Sequence, residues 1–209
     1  MSPISSNAPK RRLLATVLGA ALALSGLVAA PATATEFAFP LVPAALAISP
    51  SDVVVTGGSA TDRDKVRTYL KKYAKNTSIL SVKIGSYDHW GTTTFYLNGD
   101  NTLSGQCSIE ISKKSNHNAF ASTARLKYVM AHEVFHCQQA FAYQSDTTWT
   151  QLQKIMNKKF GGSGTRGIDN AADCGAIVQD AAYSGAPYKK KCTAAQKKAA
   201  KKVINGQQF

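Results

Sequence analysis

Two histidines four residues apart flank a glutamate in the stretch His132-Glu133-Val134-Phe135-His136. On a helix, residues at that spacing leave the same face, so both imidazoles can reach one metal ion. The glutamate follows the first histidine and can take a proton from water without binding the metal itself. Two neutral imidazoles and a free carboxylate are the working parts of a zinc hydrolase. The ion, Zn2+, acidifies water and polarises a carbonyl, while Glu133 acts as general base and then protonates the leaving amine. A catalytic zinc takes three protein ligands and keeps one position open, so His132 and His136 need a third partner from elsewhere in the chain.

Asp169 and Asp173, in the stretch Ile168 to Ala176, are the candidates. The segment reads as a helix running to about Ala182, and the two carboxylates, again four apart, would face the same way. Together the two motifs resemble the gluzincin metallopeptidases of the thermolysin type, in which an H-E-x-x-H helix is followed by E-x-x-x-D on a later helix. The step Ala172-Asp173-Cys174 is similar to one in small secreted bacterial peptidases. The resemblance covers roughly residues 104–192. It implies a zincin-like fold, metal ligands at His132 and His136, a base at Glu133, a third ligand at position 169 and a partner for the first histidine at position 173. This chain has Asp169 where the family has Glu, one methylene shorter. Asp169 is the favoured ligand with Asp173 behind His132; the alternative has Asp173 on the metal and Asp169 capping the helix. The family also uses an extra His or Tyr at the oxyanion, for which Tyr143, Tyr183, Tyr188 and His117 are available. By the same resemblance, a strand beside the active helix pairs with extended substrate, and Ser108 to Ile111 would be that strand.

The elements that must position these residues are legible in part. Ala124 to Tyr143 contains no Pro or Gly, and its apolar residues recur at helical spacing from Leu126 to Ala140, with Ser122 or Thr123 as N-cap. Thr61 to Asn76 reads as an earlier helix, and Trp149, Leu152, Ile155 and Met156 mark a later one. Strands are expected at Ile79 to Ser86, Thr92 to Leu97 and Gln106 to Ser112. Gly161 to Gly164 reads as a flexible connection. A last helix runs from an N-cap at Thr193 to Ile204, with alanines 194, 195, 199 and 200, Val203 and Ile204 packed and the lysines on an adjoining face. The fold class is therefore α+β: a small, mostly antiparallel sheet packed on the active-site helix, followed by a helical C-terminal half.

The N-terminus places this chemistry outside the cell. Lys10, Arg11 and Arg12 precede an apolar run from Leu13 to Ala30, and Ala32-Thr33-Ala34 is a small-residue cleavage site. Residues 1–34 read as a secretory signal peptide, 35–51 as an apolar, Pro-containing leader or arm, and 52–209 as one metallopeptidase domain with no membrane span. The full chain has a formal net charge of +13, much of it in lysines from Lys189 to Lys202, which favours anionic surfaces. No aromatic interleaving or motif supports a specific nucleic-acid partner. The four cysteines of an exported chain form two disulfides. Cys107 with Cys137 and Cys174 with Cys192 is the favoured pairing, and a Cys137–Cys174 bridge is the rival. The expected function is a secreted zinc endopeptidase acting on protein or peptide. The alternatives are a non-catalytic, metal-containing binding module with a basic surface, or a zinc amidase acting on cell-wall material.

Overall fold

Residues 47–209 are described by the computed structural model. The expected signal peptide and the arm up to residue 46 lie outside the described residues. The described chain joins the body at Ile48, whose N–H donates to the Thr77 carbonyl at 2.9 Å.

The order of elements is β1 (Val54–Gly57), α1 (Ala60–Tyr73), β2 (Ser78–Gly85), β3 (Gly91–Leu97), β4 (Leu103–Ser112), α2 (Thr123–Ala142), α3 (Trp149–Phe160), α4 (Arg166–Val178) and α5 (Ala194–Ile204). Two short 3-10 turns lie between β4 and α2. The class is α+β. The sheet is mixed, in the order β1-β2-β4-β3, with β1–β2 and β2–β4 parallel and only β3–β4 antiparallel. This corrects the expected mostly antiparallel sheet. The cause is connectivity: α1 is a crossover that returns the chain to the same direction, and β4 inserts between β2 and the outgoing β3. Strand β1, which the sequence reading passed over, is carried by the β-branched run Val53-Val54-Val55-Thr56 and stopped by Gly57-Gly58.

Helices α1 and α2 pack on the same face of the sheet. Alternate residues of the strands, among them Ile79, Val82, Ile109 and Ile111, meet Val66, Leu70, Met130 and Val134 in the first core cluster. A second cluster joins Phe135 of α2 to Leu152, Met156, Phe160, Ile168 and Val203 of the helical half. Helix α2 is buried nearly all round because it is a wall of both cores. Of the face expected on α5, Ala199, Ala200 and Val203 are buried, whereas Ala194 and Ala195 are exposed.

Helix α4 stops four residues before the expected Ala182. Asp180 has φ +58, Ala181 N–H donates to Ala176 O and Asp180 N–H to Ile177 O. This is a Schellman closure with Asp in the left-handed position usually held by Gly. The Gly161–Gly164 connection is tied down: Asn157 bonds the Gly164 carbonyl and the Gly167 N–H, and Asn170 bonds the Gly161 carbonyl. The disulfides are Cys107–Cys137, joining β4 to α2, and Cys174–Cys192, joining α4 to the segment before α5. No helix among the described residues is long and apolar enough to cross a membrane.

Candidate metal centre

Helix α2 begins at Ser122, whose hydroxyl accepts from the Arg125 N–H at 3.1 Å. From there the helical repeat carries His132 and His136 to one side, where α4 crosses. The crossing is close because Gly175 has no side chain: a Cβ there would lie 2.0 Å from Phe135 Cδ2. Asp169, in the first turn of α4, benefits from the positive end of that helix.

His132, His136 and Asp169 form a group that could hold a metal ion, with one ligand atom from each and all three atoms within 4.8 Å of one another. The two Nε2 atoms are 3.1 Å apart, and His136 Nε2 is 3.6 Å from Asp169 Oδ1. The opposite ring nitrogens are occupied. His132 Nδ1 is 2.8 Å from Asp173 Oδ1, and His136 Nδ1 is 2.9 Å from Gln139 Oε1. Both partners accept, so both Nδ1 atoms donate. The Gln139 orientation is fixed by its own Nε2, which reaches the Ile168 carbonyl at 3.4 Å. In neutral rings this leaves two Nε2 lone pairs aimed at each other beside a carboxylate, an arrangement that calls for a cation.

The electrostatics follow. Burial pushes the Asp169 carboxyl up to about 6, with the nearby Asp173 charge adding to it. Burial pushes His136 down to about 4, and the His132 charge lowers it further. Burial opposes the charge on His132 too, but the bond to Asp173 and the Glu133 carboxylate hold that ring above its ordinary value. The cluster thus favours a proton on His132 over one on His136.

Asp173 stands behind His132, away from the three-residue group. Its Oδ1 accepts from His132 and from the Tyr128 hydroxyl at 2.5 Å, and its Oδ2 accepts from the Lys189 N–H at 2.5 Å. Glu133 is outside the ligand group. Thr93 of β3 donates to its Oε2 at 2.8 Å, and Gly91 clears space for it, since a Cβ at that position would lie 2.7 Å from Glu133 Cγ.

Of the four auxiliary candidates, Tyr188 is at the site. Its ring stacks on His132 at 5.8 Å, with the Arg166 guanidinium 5.0 Å from its own centroid. Burial and the charges of Asp169 and Glu133 push its hydroxyl up to about 12, so it is a donor at neutral pH. Tyr183 packs against Tyr128 and Trp90, Tyr143 sits in the second core beside Phe209, and His117 lies on a 3-10 turn near Asp88. The strand expected to receive substrate, Ser108 to Ile111, is central in the sheet and hydrogen-bonded on both sides by β2 and β3. The sheet edge beside α2 is β3, whose Gly91, Thr93 and Phe95 face Glu133 and His136.

Tyr128, Gln139 and Thr93 were not marked in the sequence. For the first two, spacing carried a signal: Tyr128 is one turn before His132, and Gln139 three residues after His136. Thr93 is distant in the chain and has none. Comparison of the chain with protein-family models, with curated proteins and with solved structures gives no match.

Proposed function

We propose that the protein is a secreted, zinc-dependent metallopeptidase of the zincin type, acting as an endopeptidase. The observation that carries this reading is the division of labour around the buried pair of imidazoles. His132, His136 and Asp169 converge, while Glu133, next in sequence to a candidate ligand, lies outside that group and is held by Thr93. Two nitrogens and one oxygen are a donor set that suits a catalytic zinc, whose fourth position is taken by water. Bound there, the ion would supply Lewis acidity toward water and toward a scissile carbonyl.

The chain's own residues do the rest. Glu133 takes the proton of the attacking water and returns it to the leaving nitrogen. Thr93 fixes that carboxylate, so the proton moves along one direction. Asp173 and Gln139 hold the imidazoles in the tautomer that presents Nε2. Tyr188 offers its O–H to the developing oxyanion. Strand β3 offers its outer edge to an extended peptide, giving main-chain binding with little dependence on sequence. The resemblance of the two motifs to gluzincins supports the same reading, with Asp169 in place of the family's Glu. The two disulfides suggest an oxidising, extracellular location.

The test is metal content and one substitution. The purified protein should hold about one zinc per chain, removable by chelator. Glu133→Gln should keep the zinc and lose hydrolysis of an unfolded protein substrate by at least about 100-fold. Undiminished hydrolysis by Glu133→Gln would remove Glu133 from the mechanism. A wild-type protein that cleaves cell-wall peptides linked to sugar, but no protein, would move the activity to an amidase.

A further inference from the structure

From Ala181 to Phe209 the chain carries seven lysines and no acidic residue. None of these lysines forms an ion pair among the described residues, where the four Lys or Arg pairs fall on Arg67, Lys113, Lys114 and Lys127. Two of the seven, Lys189 and Lys190, line a cavity of about 190 Å³ that shares Tyr128 and Asp173 with the metal centre. Its sides are apolar, from Tyr128, Ile177, Tyr183 and Ala186. Its one acidic group is Asp173, whose two oxygens are already engaged by three donors. Ser184 adds a hydroxyl to the lining.

One wall of the cavity touches the residue that precedes the edge strand. Trp90, the residue before Gly91 of β3, packs edge-on against Tyr183 at 6.0 Å. A peptide lying along β3 above Glu133 would run toward Trp90 and Tyr183, from where one side chain could reach the cavity. The Lys189 ammonium is turned to the Phe160 carbonyl at 3.5 Å, so the side chain that suits this lining has a short aliphatic stem for the tyrosines and an anionic end for the Lys190 ammonium. A neutral side chain would gain nothing from that ammonium, and a cationic one would be repelled. The volume equals roughly six waters at ~30 Å³ each, ample for the five heavy atoms of a glutamate side chain.

We propose that this cavity is a selectivity pocket for acidic side chains, and that the substrates are acidic polypeptides with Glu at one fixed position near the scissile bond. The proposal rests on the hydrolase reading for its chemistry, but not for its binding. Two measurements on one set of peptides separate them. Short peptides, identical except for Glu, Gln, Leu or Lys swept through each position, are assayed for cleavage by the zinc-supplemented wild type. The same peptides, dye-labelled, are assayed for binding to Glu133→Gln by fluorescence anisotropy. At one position Glu should exceed Gln about tenfold in kcat/KM and in affinity. Lys190→Glu should reverse that order, whereas Lys198→Glu, on α5 and outside the cavity, should not. Equal binding of Glu and Gln peptides at every position overturns the pocket, as does an equal loss of preference in Lys198→Glu, which would make it a general field of the basic surface. Selective binding with no cleavage of any peptide sinks the hydrolase reading and leaves the pocket standing.

Discussion

At the scale of single residues, the two histidines are held unequally. His132 leans on a carboxylate that is itself fixed by Tyr128 and by the Lys189 N–H, while His136 leans on the neutral amide of Gln139. Gln139 also reaches the carbonyl of Ile168, one residue before Asp169, so a single side chain sets the position of one ligand and the backbone next to another. Gln139→Met keeps the bulk and loses both bonds. It should weaken zinc affinity by about 10–100-fold, read by competition with a chromogenic chelator. An affinity equal to wild type would show that packing alone orients His136. The two candidate histidine ligands were legible in the sequence, because H-E-x-x-H is a local pattern whose geometry one helix supplies. The choice between Asp169 and Asp173 was not, since both project from the same face of α4. What separates them is which part of α2 each one meets, and that depends on how two helices cross.

That crossing belongs to the scale of elements. Gly175 brings α4 against Phe135, the residue before His136. Gly175→Ala inserts a methyl group into a filled space and should cost about 1–3 kcal/mol. It should also move Asp169 and Asp173 together, so Tm and zinc affinity fall in parallel. A fall in Tm with unchanged affinity would uncouple the crossing from the site. The sheet side is tied by another device. Asp62 completes the capping box of α1 with Ser59 and bonds Lys113, just beyond β4. The Lys113 ammonium, with the Ser59 N–H and hydroxyl, holds the Asp62 carboxyl at about 2 against the opposing effect of burial. A carboxyl depressed in the folded state stabilises fully above its unfolded value of about 4 and loses that contribution as pH falls toward about 2. Asp62→Asn should therefore lower Tm at pH 7, and the gap from wild type should close as pH is taken down toward 2. A gap constant with pH would mean that the charge is not what matters. The strands and helices near the site were readable from periodicity, but the parallel pairing was not. Alternation within a strand names its buried face and says nothing of which neighbour it joins; β4 slipping between β2 and β3 is decided by the whole sheet.

At the scale of the molecule, the site lies where the two cores share a wall. α2 faces both, and α4 packs mainly in the second, with Ala176 reaching the first. An ion bound by His132, His136 and Asp169 adds a link between them that exists only in the folded chain. Chelation should lower Tm by about 10 °C if zinc is otherwise held near 1,000 times its Kd, worth about 4 kcal/mol. Calorimetry with and without chelator reads this directly, and an unchanged Tm would show the ion to be energetically separate from the fold. The disulfides stand beside the same site: Cys137 follows His136, and Cys174 follows Asp173. Each bond therefore anchors a residue adjacent to one that holds or orients a ligand. A nascent chain with both pairs reduced would lack these two anchors, so on the peptidase reading proposed above its cutting power would arrive together with oxidation. Any compartment where thiols stay free would then be spared the blade.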